Sequence, residues 1–310
     1  MARSGFTNAA RLAARWRKAR VASLLLPLFV TTIGAAPQRP SKRQLDELYM
    51  RTQGRTDGRD IVYYISGFVY SFIPGQRPQK LFGMEGYNIR RLIPTPERDG
   101  FFVATREIVF YTDPQTGQVL STWKNPFTGQ INEVFHVAND PVNQRIRVRE
   151  DGLRYVSLDG KQDRGAIQPP REWEQFYVWT SDVFPFYSLP GWSRNYTAAE
   201  MFDFYVPKSA LAGDGTPDVM VSWTRVGPWL PWMGMDGREG QLVYHAQSKL
   251  LPSWEELPPW MKDLVRERYP LYMSAPERVD PARPNATSWN VYRAEMEKRR
   301  KTPAVNQRRN

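Results

Sequence analysis

The spacing of apolar positions changes period along the chain. Between residues 41 and 53 it is helical: Leu45, Leu48 and Tyr49 fall at i, i+3 and i+4, Ser41 stands where an N-cap belongs, and Gly54 with the Asp57-Gly58 pair closes the segment. From residue 60 the period drops to two and the residues become β-branched and aromatic. Runs at 60–73, 81–93 and 100–112 read as long strands, followed by shorter ones at 117–124, 131–138, 144–150 and 153–158. Pro74-Gly75, Asp99-Gly100, Asp113-Pro114, Asn125-Pro126, Asp140-Pro141 and Asp151-Gly152 separate them. Pro114-Gln-Thr-Gly117 recurs as Pro126-Phe-Thr-Gly129, and both read as turns with glycine where positive φ is cheap.

Residues 159–192 have no clean period. Prolines break the stretch, yet Trp173, Tyr177, Trp179 and Trp192 crowd it, so it is expected to pack irregularly across the sheet. Strands resume at 199–207, 218–226 and 239–247. Ser253 and Glu256 form a capping-box pattern ahead of a helix reaching residue 268, and a last amphipathic helix is expected at 288–301. Together these elements predict a mostly β protein. Its antiparallel meander forms a barrel-like or strongly curved sheet, with peripheral helices near the N- and C-termini. One β-rich domain is expected over 37–275, with a C-terminal helix and basic tail at 276–310.

Charge and composition then narrow the function. The 310 residues carry a net charge of +11, which on its face suggests nucleic acid. Residues 1–36, however, hold six basic side chains and no acidic one, and residues 291–310 hold seven basic against two acidic, so the body between them is neutral. A neutral body has no broad footprint for a phosphate backbone, and no nucleic-acid partner is expected. The absence of cysteine removes disulfides, thiolate metal sites and a cysteine nucleophile. Basic residues up to Arg20, the apolar run 21–30 and the small residues Gly34-Ala35-Ala36 have the order of a secretory signal, too short to span a bilayer. A mitochondrial transit peptide, or a cytoplasmic protein whose start is set too far upstream, are the rival readings of the same residues.

Several consecutive motifs resemble a known family. Leu81-Phe-Gly-Met-Glu85-Gly, Arg106-Glu107 leading to Tyr111-Thr-Asp-Pro-Gln-Thr-Gly117, Trp123-Lys-Asn-Pro-Phe-Thr-Gly129, His136-Val-Ala-Asn-Asp-Pro141, Gly227-Pro-Trp-Leu-Pro-Trp-Met233 and Gly240-Gln-Leu-Val-Tyr-His245 are similar to the bacterial and fungal family called domain of unknown function 1838. The resemblance runs over roughly residues 44–275. It assigns no catalytic residue, and it implies export, since members often carry export signals.

Candidate chemistry comes from scarce or misplaced polar residues. His136 and His245 are the two histidines of the chain, and both read as lying on strands. A neutral imidazole is a natural general base near neutral pH, although two separate structural histidines would fit as well. Arg106 and Glu107 interrupt an otherwise apolar strand. Adjacent strand residues point to opposite faces, so one of them must face inward, where a charge needs a partner or a purpose. Trp229, Trp232 and Met233 lie in a Pro- and Gly-broken segment that suits either a ligand pocket or a hydrophobic plug, and Trp123 and Arg225 are set beside them as ligand contacts. No Gly-rich phosphate loop, nucleophile elbow or local metal-ligand spacing is present, so neither a cofactor nor a metal is expected. The expectation is an enzyme using acid–base chemistry (lyase, elimination or isomerisation) on a small aromatic or terpenoid-like molecule in an aromatic-lined cavity. The alternatives are a lipocalin-like carrier of an apolar ligand or an envelope interaction protein. The sequence leaves the oligomeric state open. N-terminal sequencing of protein from its native host checks the export reading: a chain beginning near Ala36 or Pro37 in a periplasmic or secreted fraction is expected, and an intact Met1 in the cytoplasm overturns it.

Overall fold

The structure is a computed structural model that describes residues 39–188 and 195–301. The expected signal segment, Trp192 and the end of the basic tail lie outside the described residues. The chain begins with α1 (Lys42–Gln53), capped as expected: Ser41 Oγ accepts from the Gln44 backbone N–H and the Gln44 side chain reaches back to the Ser41 backbone. Then follow β1 (Ile61–Phe72), β2 (Lys80–Pro94), β3 (Gly100–Thr112), β4 (Thr122–Lys124), β5 (Ile131–Glu133), β6 (Val137–Asn139), β7 (Gln144–Arg149), β8 (Gly152–Val156) and β9 (Asp163–Ala166). The second half contains β10 (Arg171–Trp173), β11 (Phe176–Val183), β12 (Phe186–Tyr187), β13 (Tyr196–Thr197), β14 (Ala199–Pro207), β15 (Met220–Gly227) and β16 (Gln241–Leu251), then α2 (Pro259–Arg268) and α3 (Ser288–Lys301).

Twelve of these strands form one antiparallel sheet in the order β10-β11-β14-β15-β16-β1-β2-β3-β7-β8-β9, with β6 also pairing with β3. The protein is therefore mostly β, as the period predicts. Its first and last strands, β10 and β9, do not pair with one another, so the sheet is open. Two meanders make up the sheet, and the pairing of β1 with β16 joins them, running from Val62↔Leu251 to Phe72↔Gln241.

Alternation assigns the faces. On the front face Val69, Phe82, Met84, Val109, Tyr111, Leu242 and Tyr244 form an apolar cluster closed by Trp123, Trp229, Trp232 and Met233. Further along the same face Ile61, Tyr63, Leu92, Val103, Val221 and Leu250 form a second cluster, capped by Leu48 and Tyr49 of α1. The back face of β1–β3 is covered by the C-terminal helical region: Val62, Tyr87, Ile89, Ile108 and Phe110 pack against Trp254, Leu257, Met261 and Val265. Tyr87 fixes this layer, because its hydroxyl donates to the Tyr272 carbonyl (2.8 Å) and accepts from Trp254 Nε1 (3.0 Å).

Four local expectations need correction. The run 117–124 is a strand only at Thr122–Lys124, with Val119 making a single bridge to Thr112. The segment 159–192 is not irregular throughout, because β9, β10 and β11 belong to the main sheet. Pro169-Pro170 fills only the connection between β9 and β10, and Tyr177 and Trp179 alternate toward the front face as in any strand. The run 131–138 breaks at residues 134–136, with β5 pairing with β4 and β6 with β3. Ser253 makes no side-chain cap. Residues Trp254–Glu256 form a single 3₁₀ turn, Leu257 is extended before Pro258, as a residue preceding proline prefers, and α2 starts at Pro259. The repeated turns are as expected: Asp113 Oδ1 accepts from the Gln115 and Thr116 N–H groups and Asn125 Oδ1 from the Phe127 N–H, while Gly117 and Gly129 take φ of 73° and 74°.

Close backbone approach in the centre of the sheet demands glycine at Gly86. A Cβ there would sit 2.1 Å from the Ile108 carbonyl oxygen and 2.5 Å from Val109 Cα. Urea denaturation of Gly86→Ala is expected to show a loss of about 1–3 kcal/mol, the range for overpacking. Gly215→Ala, where a Cβ meets nothing within 4 Å, is expected to stay within about 0.5 kcal/mol of the parent.

Candidate functional site

Between the two apolar clusters the front face is not apolar. Period-two alternation puts Asn88 and Arg90 in phase with Phe82 and Met84, Glu107 in phase with Val103 and Tyr111, Arg225 in phase with Val221 and Trp223, and Glu200 in phase with Phe202 and Phe204. Charged residues in the buried phase of four strands carry a desolvation penalty, so their partners decide what they do.

One end of this band is built around Arg225. Its guanidinium donates to the Tyr196 hydroxyl through Nη2, lies 3.5 Å from Glu200 Oε1 and sits 5.0 Å over the Tyr244 ring. The pair is inside the fold yet keeps accessible surface, with side-chain exposures of 16% for Arg225 and 26% for Glu200. Burial pushes the Tyr244 hydroxyl up to about 12, and burial likewise raises Tyr196 and Tyr111. All three are therefore neutral hydrogen-bonding groups at physiological pH. Beside them Phe202 stacks at 6.1 Å on both Phe204 and Trp223, with interplanar angles of 22° and 23°. These three half-buried rings form a flat apolar wall.

Glu107 occupies the middle. Its Oε2 accepts from Asn139 Nδ2 at 2.9 Å, a contact fixed by the β3–β6 pairing that sets Glu107 opposite Asn139. Burial raises its carboxyl above the ordinary range. Glu200 adds to the shift, while the Asn139 amide and the Arg225 and Arg90 cations oppose it. A carboxyl so placed takes up and gives back a proton nearer to neutrality than an exposed glutamate does. At the far end Arg90 donates from Nε to Asn88 Oδ1 (2.7 Å) and from Nη1 to Gln53 Oε1 (3.1 Å), and lies 4.6 Å over the Tyr63 ring. Buried polar atoms without a partner among the described residues also gather on this face, at Asn139 Oδ1, Trp223 Nε1 and Ser248 Oγ.

Of the residues singled out from sequence, Glu107 and Arg225 both belong to this band, and the Arg225 charge acts on the Glu107 carboxyl. The others do not. Arg106 points to the back face, where it is held by Asp140 (2.8 Å) and the Ser274 carbonyl (2.7 Å) and ties the C-terminal segment to the sheet. His245 lies on β16 on the exposed back face, next to Thr224 and Phe68. His136 is off-strand at the opposite edge of β3, its Nδ1 accepting from the Tyr111 N–H at 3.1 Å. His245 is exposed on the back face, whereas His136 packs against Phe110 and Tyr111 at the far edge of β3, so no contact joins the two imidazoles. Trp229, Trp232 and Met233 are 5%, 5% and 0% exposed and pack on Phe82, Tyr111, Trp123 and Phe127, which makes them the plug of the first apolar cluster. Trp123, at 9%, belongs to the same plug. Among the described residues no three His, Asp or Glu side chains converge as metal ligands would.

His136 supplies a measurable consequence. Burial lowers its pKa to about 4, the Arg268 charge acts in the same direction, and the Leu120 backbone opposes. The unfolded chain therefore takes up this proton first as pH falls. The stabilising neutral state is complete above the unfolded value near 6.5 and is lost as pH drops toward 4. Denaturant unfolding at pH 7 and pH 5 is expected to show a loss of about 2 kcal/mol from this group. The loss should be absent in His136→Gln, and an equal pH dependence in both proteins overturns the assignment.

No curated protein is detectably similar to the chain. A family model does match, over residues 58–296, which takes in every strand of the main sheet and the whole band except Gln53 of α1. The chain belongs to the family described as protein of unknown function, DUF1838.

Proposed function

We propose that the protein is an enzyme that moves protons on a small molecule with an aromatic or terpenoid-like body, by elimination, isomerisation or lyase cleavage, within a chamber on the front face. The reading of the sheet as curved around that chamber rests on the chain's reach. Residues 167–170 join β9 to β10, the two ends of the sheet. Five Cα steps extend at most about 18 Å. Eleven strands laid flat would spread about 48 Å. Ring contact between Tyr63 on β1 and Phe204 on β14, 6.3 Å apart across two intervening strands, agrees with such curvature.

The observation that carries the enzymatic reading is Glu107. Its carboxyl lies half-buried in the inward phase of β3, with one amide to hold it and two cations at a distance. A carrier of apolar ligands has no use for that arrangement, and an acid–base catalyst does. Glu107 takes a proton from the ligand and returns it to the product or leaving group. Arg225, with Tyr196 and Tyr244, stabilises the oxygen on which negative charge develops, and Phe202, Phe204 and Trp223 hold the flat body. Arg106, His136 and His245 have no part in it.

Native mass spectrometry of the purified protein identifies a retained small molecule, and incubation of that molecule with protein measures its conversion. The wild type is expected to convert it. Glu107→Gln is expected to retain it but to slow conversion by roughly 10²–10⁴-fold, the share of a positioned general acid–base. A molecule retained unchanged by the wild type establishes the carrier instead.

A further inference from the structure

Arg90 differs from most arginines packed into this fold, although Arg51 likewise meets only neutral oxygens, the Gly215 and Ala210 carbonyls. Arg91 meets Asp60 at 2.7 Å, Arg106 meets Asp140 at 2.8 Å, Arg145 meets Glu97 at 3.0 Å, Arg147 meets Asp99 at 2.5 Å and Arg225 meets Glu200 at 3.5 Å. Arg90 meets no carboxylate among the described residues. Its protein partners are neutral amide oxygens and the face of Tyr63. Burial disfavours its charged form, and the nearby Tyr63, Tyr155 and Tyr49 hydroxyls and the Glu107 carboxyl offset that penalty only in part. Five N–H groups belong to a guanidinium, and its two hydrogen bonds engage Nε and one N–H of Nη1, which leaves three N–H groups, one on Nη1 and two on Nη2, without a protein partner among the described residues.

The surroundings hold this cation in place without neutralising it. Gln53 is 2% exposed, and its Nε2 is tied to Thr52 Oγ1 at 3.0 Å, which orients Oε1 toward Arg90. Thr52 Oγ1 is in turn anchored on the Tyr49 carbonyl at 2.7 Å, within the last turn of α1. The Tyr63 hydroxyl donates to the Thr52 carbonyl at 2.7 Å, so the ring under the guanidinium is fixed as well. Arg90 faces Thr105 in the β2–β3 register and Glu107 lies two residues further along β3 on the same face. That diagonal spans about 7–8 Å between the two strand positions, so the Arg90 side chain reaches along the same stretch of the face as Glu107.

We infer, on the reading of the front face as a ligand chamber, that Arg90 is the anchor for a carboxylate on the ligand, so that the substrate class is a small aromatic or polycyclic carboxylic acid. The carboxylate pairs end-on with the remaining N–H groups of Nη1 and Nη2, the body lies on the Phe202–Phe204–Trp223 wall, and the atoms between them pass Glu107. Arginine suits this task because its planar fork matches a carboxylate in a bidentate pair.

Two probes of one shape separate the anchor from the chamber: 2-naphthoate, and its neutral isostere 2-naphthamide, each titrated calorimetrically into the full chain. The wild type is expected to bind naphthoate more tightly than naphthamide. Arg90→Met should weaken naphthoate roughly ten- to a hundred-fold, the worth of a charge-assisted hydrogen bond, and leave naphthamide within about threefold. Arg90→Lys, which keeps the charge but not the fork, should fall between and carries the test if Arg90→Met does not fold. Equal losses for both probes, or a naphthoate-selective loss in Arg225→Met but not in Arg90→Met, overturn the anchor while leaving the chamber standing. Failure of both probes to bind the wild type overturns the chamber and the anchor together.

Discussion

The pairing of β1 with β16 is the constraint on which the rest of the structure depends. It zips two meanders, one from each half of the chain, into a single sheet along eleven residue pairs. Arg90 and Glu107 come from the first meander, and Glu200, Arg225 and Tyr244 from the second. Without that seam the two halves of the polar band would not lie on one surface, and the apolar clusters on either side would each lose half their members. The seam also requires small residues where backbones press together. At Gly67 in β1 an added Cβ would stand 2.4 Å from the His245 carbonyl oxygen on β16.

The front face divides its work by position. Its ends are packed like any interior, with Phe82, Met233 and Leu242 at one end and Ile61 and Val206 at the other fully removed from water, each contributing roughly 1.5–3 kcal/mol. Its middle gives up such packing for Arg90, Glu107, Glu200 and Arg225. A sheet bearing leucine or valine at those four positions would bury more apolar surface and leave no charge to compensate. The stability surrendered there is supported by the plug of Trp229 and Trp232 and by the Tyr87–Trp254–Tyr272 tie on the back face.

Much of the fold was legible in the sequence, because long strands with clean alternation and Gly- or Pro-marked turns depend on local chemistry. The boundaries of β1, β2, β3, β14 and α1 follow from that pattern. What failed was local order inside a segment with many prolines. Tyr177 and Trp179 were legible as aromatics in need of burial, but their strand partner on β14 lies some 25 residues later in the chain. At the site, Glu107 and Arg225 were legible as charges out of place in apolar strands. Arg90, Glu200, Tyr196 and Tyr244 carry the same signal, a polar residue in the inward phase, and the phase of each strand was there to be read. The histidines misled because rarity in composition says nothing about which face of a sheet a side chain occupies. The Trp- and Met-rich segment misled because flat, adaptable side chains fill a core as readily as they line a pocket.

The short connection through Pro169-Pro170 has a consequence for how copies of the protein meet one another. It ties the two free margins of the sheet, β9 and β10, to neighbouring stretches of chain, and both margins are brief: four residues, Asp163–Ala166, and three, Arg171–Trp173. They carry Asp163, Arg164, Arg171 and Glu172, and the proline pair between them lacks the N–H groups that an added strand would need. An open sheet exposes unpaired backbone along its margins and invites stacking into fibrous aggregates. Here the same few residues that complete the chain's circuit also deny that backbone to a second molecule, so the sheet can stay unclosed without becoming a template for its own polymerisation.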